Sequence, residues 1–200
     1  MSAKILPKLF LARHGDTEWT DARRHTGRTD VPLNQEGQEH AREMGQRLRR
    51  FSFVRVLTSP LIRASQTCAL AGFGATAVVD PALMEWDYGR YEGKHTIDIT
   101  QDSPGWEIFR DGCSGGESPG DVAGRADAFI ARVHQCQGNV LAFSHGHMIR
   151  MIAARWNRLP PAEGRIFFCR PASLGILGFE HESWDEPVVQ LWNCVSDPGE

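Results

Sequence analysis

No stretch of this 200-residue chain approaches the roughly 18 consecutive apolar residues that a membrane-crossing helix needs. The N-terminus lacks the basic, apolar and small-residue succession of a secretory leader, so a cytoplasmic protein with no membrane partner is expected. Cysteine is scarce. Cys68, Cys113, Cys136, Cys169 and Cys194 are odd in number, widely spread and without a C-x-x-C pair, which argues against a disulfide framework and a zinc site and fits a reducing compartment. Surplus positive charge is lacking too. With 22 Lys and Arg against 25 Asp and Glu the net charge is -3, so no nucleic acid is expected as a partner. Cations meant for an anionic ligand must therefore be gathered locally. No internal repeat or low-complexity stretch is present. The ordinary apolar (41%) and charged (24%) shares suit one soluble α/β domain over residues 1–200.

The apolar stretch Leu9-Phe10-Leu11-Ala12 runs straight into Arg13-His14-Gly15, the pattern of a buried strand ending in a tight turn. Ligands of open α/β sheets sit just beyond the carboxyl ends of strands, so chemistry is expected there. Residues 18–29 are polar and irregular and read as an active-site loop. Asn34 is placed to cap a helix whose Gly37, Ala41, Met44, Leu48 and Phe51 fall on one face. Residues 54–58 predict a strand, 61–71 a helix ended by Gly72, and 77–79 a third strand. Residues 81–117 have no sustained period and carry Trp86, Tyr88, Tyr91 and Trp106. An insertion of that length in a small domain is more often functional than idle, so it is expected to act as an active-site lid. Further helices are predicted over 119–136, with Ser118 as cap, and over 148–156. Further strands are predicted over 139–143, 166–168, 174–179 and 188–192, and residues 196–200 are expected to fray. Strands alternating with helices give a layered α/β sheet.

Two strand ends match: Arg13-His14-Gly15 and Ser144-His145-Gly146 each put an imidazole where a strand gives way to glycine, whose missing side chain lets backbone approach a ligand. Two such histidines at one sheet edge suggest a metal site or phosphoryl transfer. A metal needs three or four ligands at matched spacing. Here there is no H-E-x-x-H, no carboxylate beside either histidine, and Arg13 would repel a dication, so neither a metal nor another cofactor is expected. Phosphoryl transfer fits better. A neutral His14 can attack phosphorus, while Arg13, Arg63 and a protonated His145 stabilise the equatorial oxygens through charge and paired N–H donors. Backbone N–H groups near Gly116-Glu117-Ser118 can add to this. Glu85, beside Trp86 and Tyr88, can give the leaving oxygen its proton and later activate water, because desolvation favours the uncharged carboxylic acid. Taken singly, each residue has a plainer explanation: a hydrogen-bonded strand-end histidine, a helix-end arginine, a solvated loop carboxylate. Their coincidence at related sheet positions favours the chemical account.

These residues resemble the histidine phosphatase superfamily, also called phosphoglycerate mutase-like. Arg13-His14-Gly15-x-Thr17 with Glu18-Trp19 is similar to its signature. Gly27-x-x-Asp30-x-Pro32-Leu33-Asn34-x-x-Gly37, Thr58-Ser59-Pro60-x-x-Arg63-Ala64-x-x-Thr67 and Ser144-His145-Gly146 resemble its later blocks, in order. The resemblance implies a three-layer sandwich, a mainly parallel sheet flanked by helices, and metal-free chemistry through phosphohistidine. It gives His14 as nucleophile, Arg13, Arg63 and His145 as phosphate pocket, and Glu85 as proton donor. Thr17, Thr26, Gly27 and Gly146 are implied to line the pocket, and Thr20 stands where asparagine is usual. The insertion carries only Arg90, Lys94 and Arg110 as cations, which favours hydrolysis over a mutase. Residues 85–93, 106–113 and 145–147 look like the branch that includes fungal sedoheptulose-1,7-bisphosphatase, although this chain is shorter around 157–173. That branch implies a phosphorylated sugar, with Arg90 or Arg110 reaching a distal phosphate.

The expected function is thus a metal-independent phosphatase of small phosphate monoesters, sugar phosphates or bisphosphates. Phosphoglycerate mutase, protein phosphatase and catalytically weak phospholigand-binding module are the alternatives. Trp86 and Trp106 serve either as substrate selectors or as plain core. A homo-oligomer is compatible with this sequence, which does not fix the state of assembly.

Overall fold

The structure, a computed structural model, describes residues 6–195. Strand β1, Leu9–Arg13, sends alternate side chains to opposite faces of one six-stranded sheet. Leu9 and Leu11 enter one buried cluster with Leu57, Val140 and Ala142, while Phe10 and Ala12 enter the other with Val56, Leu141 and Phe143. With both faces covered, these strands read as continuous apolar runs. The sheet order is β3-β2-β4-β1-β5-β6, with β2 at Arg55–Thr58, β3 at Val78–Val79, β4 at Val140–Ser144, β5 at Leu174–Phe179 and β6 at Pro187–Cys194. The first four are parallel, and β5 and β6 extend the sheet antiparallel beyond β1.

The helices are α1 (Glu18–Asp21), α2 (Gln35–Leu48), α3 (Ile62–Leu70), α4 (Thr96–Asp102), α5 (Ile108–Asp111), α6 (Pro119–Val133) and α7 (Gly146–Trp156). Helices α2 and α3 cover the Phe10 face through Met44, Leu48 and Cys68, and α6 and α7 cover the Leu9 face through Phe129, Val133, Met151 and Ile152. The expected layered α/β sandwich is therefore present. Asn34 caps α2, accepting from Gly37 N–H at 2.7 Å, and Ser118 caps α6, accepting from Asp121 N–H at 3.2 Å. Phe51 lies beyond the end of α2, yet packs half-buried on the same cluster.

Register sets the site. Arg13 pairs with Ser144 and Thr58 with Phe143, so His14, His145 and Ser59 emerge together at the carboxyl edge of β1, β4 and β2. Close backbone packing supports this edge. A Cβ on Gly15 would lie 2.3 Å from the Gly37 carbonyl oxygen, so the turn after His14 can press against the start of α2 only as glycine.

Two sequence expectations change. Residues 166–168 are not a strand. Pro161–Ile166 forms a 3₁₀ helix after Pro160, and Arg150 donates to its Gly164 and Arg165 carbonyls. Residues 18–29 are not wholly irregular, since α1 supplies one turn there. The segment 81–117 is built of 3₁₀ turns and the short helices α4 and α5. Its first part is pinned by Arg125, which donates to the Ala82 and Met84 carbonyls at 2.8 Å each and pairs with Glu117 at 2.9 Å. The tail 196–200, expected to fray, lies outside the described residues. Among the described residues no helix is long and apolar enough to cross a membrane.

Candidate active site

His14 is buried at the end of β1, and its Nδ1 lies 2.7 Å from the Gly15 carbonyl oxygen. Nδ1 must carry the proton to donate there, which leaves the Nε2 lone pair free for attack. Burial first, then the guanidinium groups of Arg63 and Arg13, hold the His14 pKa well below the ordinary 6.5, so the ring is neutral near pH 7. Gly15 N–H donates to Thr67 Oγ1 at 3.1 Å, and that hydroxyl donates to the Arg63 carbonyl at 2.7 Å, so one threonine ties the nucleophile's turn to the arginine's helix.

Arg63 is completely buried in the first turn of α3, and its two terminal nitrogens donate to the Thr29 and Gly27 carbonyls at 3.0 and 2.6 Å. Arg13 donates to the Cys169 carbonyl at 2.6 Å and lies against Gly146, where a Cβ would come within 3.2 Å of its Cζ. The His145 ring centroid is 5.2 Å from that of His14, and its Nε2 is 2.7 Å from Ser59 Oγ. Three buried nitrogens here have no hydrogen-bond partner: Arg13 Nε, Arg63 Nε and His145 Nδ1. Buried polar groups are normally satisfied, so the two unpartnered guanidinium Nε atoms beside the His14 imidazole describe a place for an anion.

Glu85 sits on the pinned 82–87 segment, buried. Its Oε1 accepts from Trp86 N–H and Met148 N–H at 2.9 and 3.0 Å, and Oε2 accepts from His147 N–H at 3.2 Å. The first turn of α7, which begins beside His145, thus holds the carboxylate of the loop opposite. Arg13, His14, Arg63 and Glu85 all line one cavity of about 590 Å³, together with Thr20, Thr26 and Gly146. His145 stands behind His14 rather than on the wall.

A family model described as histidine phosphatase superfamily (branch 1) matches residues 9–194. An acid phosphatase from Mycobacterium tuberculosis is 42% identical over 87% of both chains. The chain belongs to the histidine phosphatase superfamily. A sedoheptulose 1,7-bisphosphatase from Saccharomyces cerevisiae is 28% identical to this histidine phosphatase, over 98% of the chain and 96% of the relative. Among solved structures, a mycobacterial glucosyl-3-phosphoglycerate phosphatase in complex with VO3 superposes with a TM-score of 0.82 at 26% identity, covering 94% of this chain and 98% of its own.

The remaining expected site residues divide. Thr17 is spent inside its own turn: its Oγ1 accepts from Thr20 N–H at 3.1 Å and caps α1. Gly27 contributes its carbonyl to Arg63 rather than a surface to the cavity. The N–H groups near Ser118 are also spent, Gly116 on the Cys113 carbonyl, Glu117 on Asp87, and Ser118 on the Asp121 carboxylate, so that helix start offers the cavity nothing. Arg90 and Arg110 are exposed and off this cavity. Arg110 pairs with its neighbour Asp111 at 2.7 Å on the outer side of the insertion. Trp86 is core, fully buried against Phe109, and Trp106 lies beneath the insertion with its Nε1 on the Gly112 carbonyl at 2.8 Å.

His145, expected as a cation, is neutral in the unliganded histidine phosphatase: burial first, then Arg63, His14 and Arg13, hold its pKa well below 6.5. Sequence reasoning missed Ser59 as the group that orients this ring, and missed Arg23, Arg24, His25, Tyr88, His147 and Arg150 on the cavity wall. The Tyr88 hydroxyl bonds to His147 Nδ1. Burial also lowers the pKa of His25, to about 4, and that of His147 well below 6.5.

These histidines link stability to pH. Each is neutral when folded but takes a proton below about 6.5 when unfolded, so the unfolded chain binds more protons as pH falls. Thermal unfolding is expected to shift to lower temperature between pH 7 and pH 5, and inorganic phosphate to restore part of the loss by charge-pairing the protonated rings. A melting temperature flat over that interval would contradict the buried neutral histidines.

Proposed function

We propose that this chain hydrolyses small phosphate monoesters through a phosphohistidine at His14, without a metal, as one domain covered by residues 81–117. The observation that carries the reading is the pair of unpartnered buried guanidinium Nε atoms, of Arg13 and Arg63, on the cavity wall beside a neutral imidazole whose Nε2 is free. A phosphoryl group fits that set, since positioning and charge stabilisation are most of what its transfer requires. His14 Nε2 forms the bond to phosphorus as the ester P–O bond breaks, and Arg13 and Arg63 hold the equatorial oxygens. Glu85 gives its proton to the departing oxygen, then takes one from the water that attacks phosphohistidine, so a phosphate and an alcohol leave. The incoming negative charge favours the charged form of His145. Names carried by relatives, acid phosphatase and sedoheptulose 1,7-bisphosphatase, support a small-molecule ester as substrate.

A panel of sugar phosphates and p-nitrophenyl phosphate, assayed with excess chelator, tests this. Phosphate release at a rate equal to that without chelator is expected. Loss of activity on chelation, or interconversion of 2- and 3-phosphoglycerate without phosphate release, would overturn it.

A further inference from the structure

The Arg63 guanidinium is held by two carbonyls of one loop, those of Gly27 and Thr29. A buried guanidinium takes the plane that its acceptors and its packing give it. Whatever fixes this loop therefore fixes the direction in which Arg63 Nε meets the anion place beside His14.

The loop leans on the insertion. An isolated antiparallel bridge joins Arg24 to His95, with His25 N–H on the Lys94 carbonyl at 3.0 Å and Gly93 N–H on the His25 carbonyl at 2.8 Å. Past that bridge, Glu92 fastens the loop. Its Oε1 accepts from Arg28 N–H at 2.7 Å, and Oε2 accepts from Thr29 N–H at 3.0 Å and from the Thr29 hydroxyl. Bonds to an ionised acceptor are the strong and geometrically exacting ones. The Arg28 side chain adds looser ion pairs, 3.6 Å to Asp87 and 3.4 Å to Glu117, of the partly exposed kind that contribute little. Gly27 completes the contact. It holds a left-handed φ of 57°, and a Cβ there would stand 2.3 Å from Glu92 Oε1, so the carboxylate packs on the very residue whose carbonyl Arg63 uses. Glu92 itself is not on the wall of the catalytic cavity, and its bonds go to the loop rather than to the guanidinium.

We propose that Glu92 is a positioning residue for phosphoryl transfer: it locks residues 27–29 so that their carbonyls hold Arg63 in the plane that meets the phosphoryl oxygens. The inference rests on the phosphatase reading. It gives residues 81–117 a task besides covering the cavity, since an arginine of the phosphate pocket is aligned from that segment.

A misplacement of about 1 Å at a positioned group costs on the order of 10²-fold in rate. Glu92→Ala is accordingly expected to lower kcat/KM for p-nitrophenyl phosphate by roughly 10- to 100-fold, and to weaken inorganic phosphate, titrated by calorimetry, by roughly tenfold. Glu92→Gln keeps one oxygen for one of the two amides and should recover part of both losses. The deciding measurement is a double-mutant cycle. With Arg63 replaced by Gln, removing Glu92 should cost less than about twofold in either readout, because the group it aligns is gone. Arg63→Lys, which keeps the charge but not the planar donors, is the second background should the glutamine variant not fold, and melting curves verify folding throughout. Equal losses with and without Arg63 overturn the proposal, as does a Glu92→Ala protein that melts earlier yet keeps native kcat/KM and phosphate affinity. The two readings fail separately. Phosphate release by the native protein with Glu92→Ala unchanged removes the positioning role alone. A native protein that turns over no ester, but loses phosphate affinity in Glu92→Ala only where Arg63 is present, removes the phosphatase reading and keeps the positioning role.

Discussion

His14→Ala is expected to lower turnover of every phosphate ester by at least about four orders of magnitude, about 5.4 kcal/mol of transition-state stabilisation at 1.36 kcal/mol per tenfold. The variant keeps Arg13, Arg63 and the His145–Ser59 pair, so it still has a place for phosphate. It loses the Nε2 lone pair, left free because Nδ1 holds the ring proton in its bond to the Gly15 carbonyl. Positioning alone does not replace covalent catalysis, because water would then have to be deprotonated and attack the ester directly. Acid-labile, base-stable label from a 32P-ester should appear on the native protein after rapid denaturation and be missing from the variant. Substantial turnover by His14→Ala, or label retained on it, would show that another group takes the phosphoryl.

Much of this site is legible in the sequence because it is written at strand ends. The apolar run before Arg13-His14-Gly15 and that before Ser144-His145-Gly146 fix two parallel strands, and parallel pairing brings both histidines to one edge. Arg63 follows from the same logic, in the first turn of the helix after β2. Side chains whose partners lie across the cavity were not legible. Arg150 reads as one more cation on an amphipathic helix until the 3₁₀ segment Pro161–Ile166 is seen to offer it the Gly164 and Arg165 carbonyls. Arg23 and Arg24 lay inside a loop identified as functional, but nothing in their spacing says which way they face. Arg90 and Arg110 misled for the converse reason: both sit in the aromatic insertion, yet that segment turns them outward, and Arg110 has a carboxylate beside it. The short strand expected at 166–168 failed because three apolar residues in a row cannot distinguish a strand from an exposed turn that sets Phe168 at the cavity mouth.

Glu85→Gln separates proton transfer from phosphoryl transfer. For an alkyl ester such as a sugar phosphate, kcat/KM is expected to fall about 10²–10⁴-fold, the range that a positioned general acid contributes. For p-nitrophenyl phosphate the first phosphoryl transfer should change little, because p-nitrophenolate leaves without a proton. A burst of one p-nitrophenolate per site should survive, followed by a slowed steady state in which water must attack phosphohistidine unaided. The local structure tolerates the change. The amide oxygen can take the place of Oε1, between Trp86 N–H and Met148 N–H, although the amide nitrogen then faces His147 N–H, donor against donor. That conflict is common to both esters, so the diagnostic quantity is the ratio between them. Equal losses on the alkyl and aryl esters would show that Glu85 holds α7 against the 82–87 segment without handling a proton, and the acid would have to be sought elsewhere on the cavity wall, with the Tyr88 hydroxyl bonded to His147 as the next group to replace.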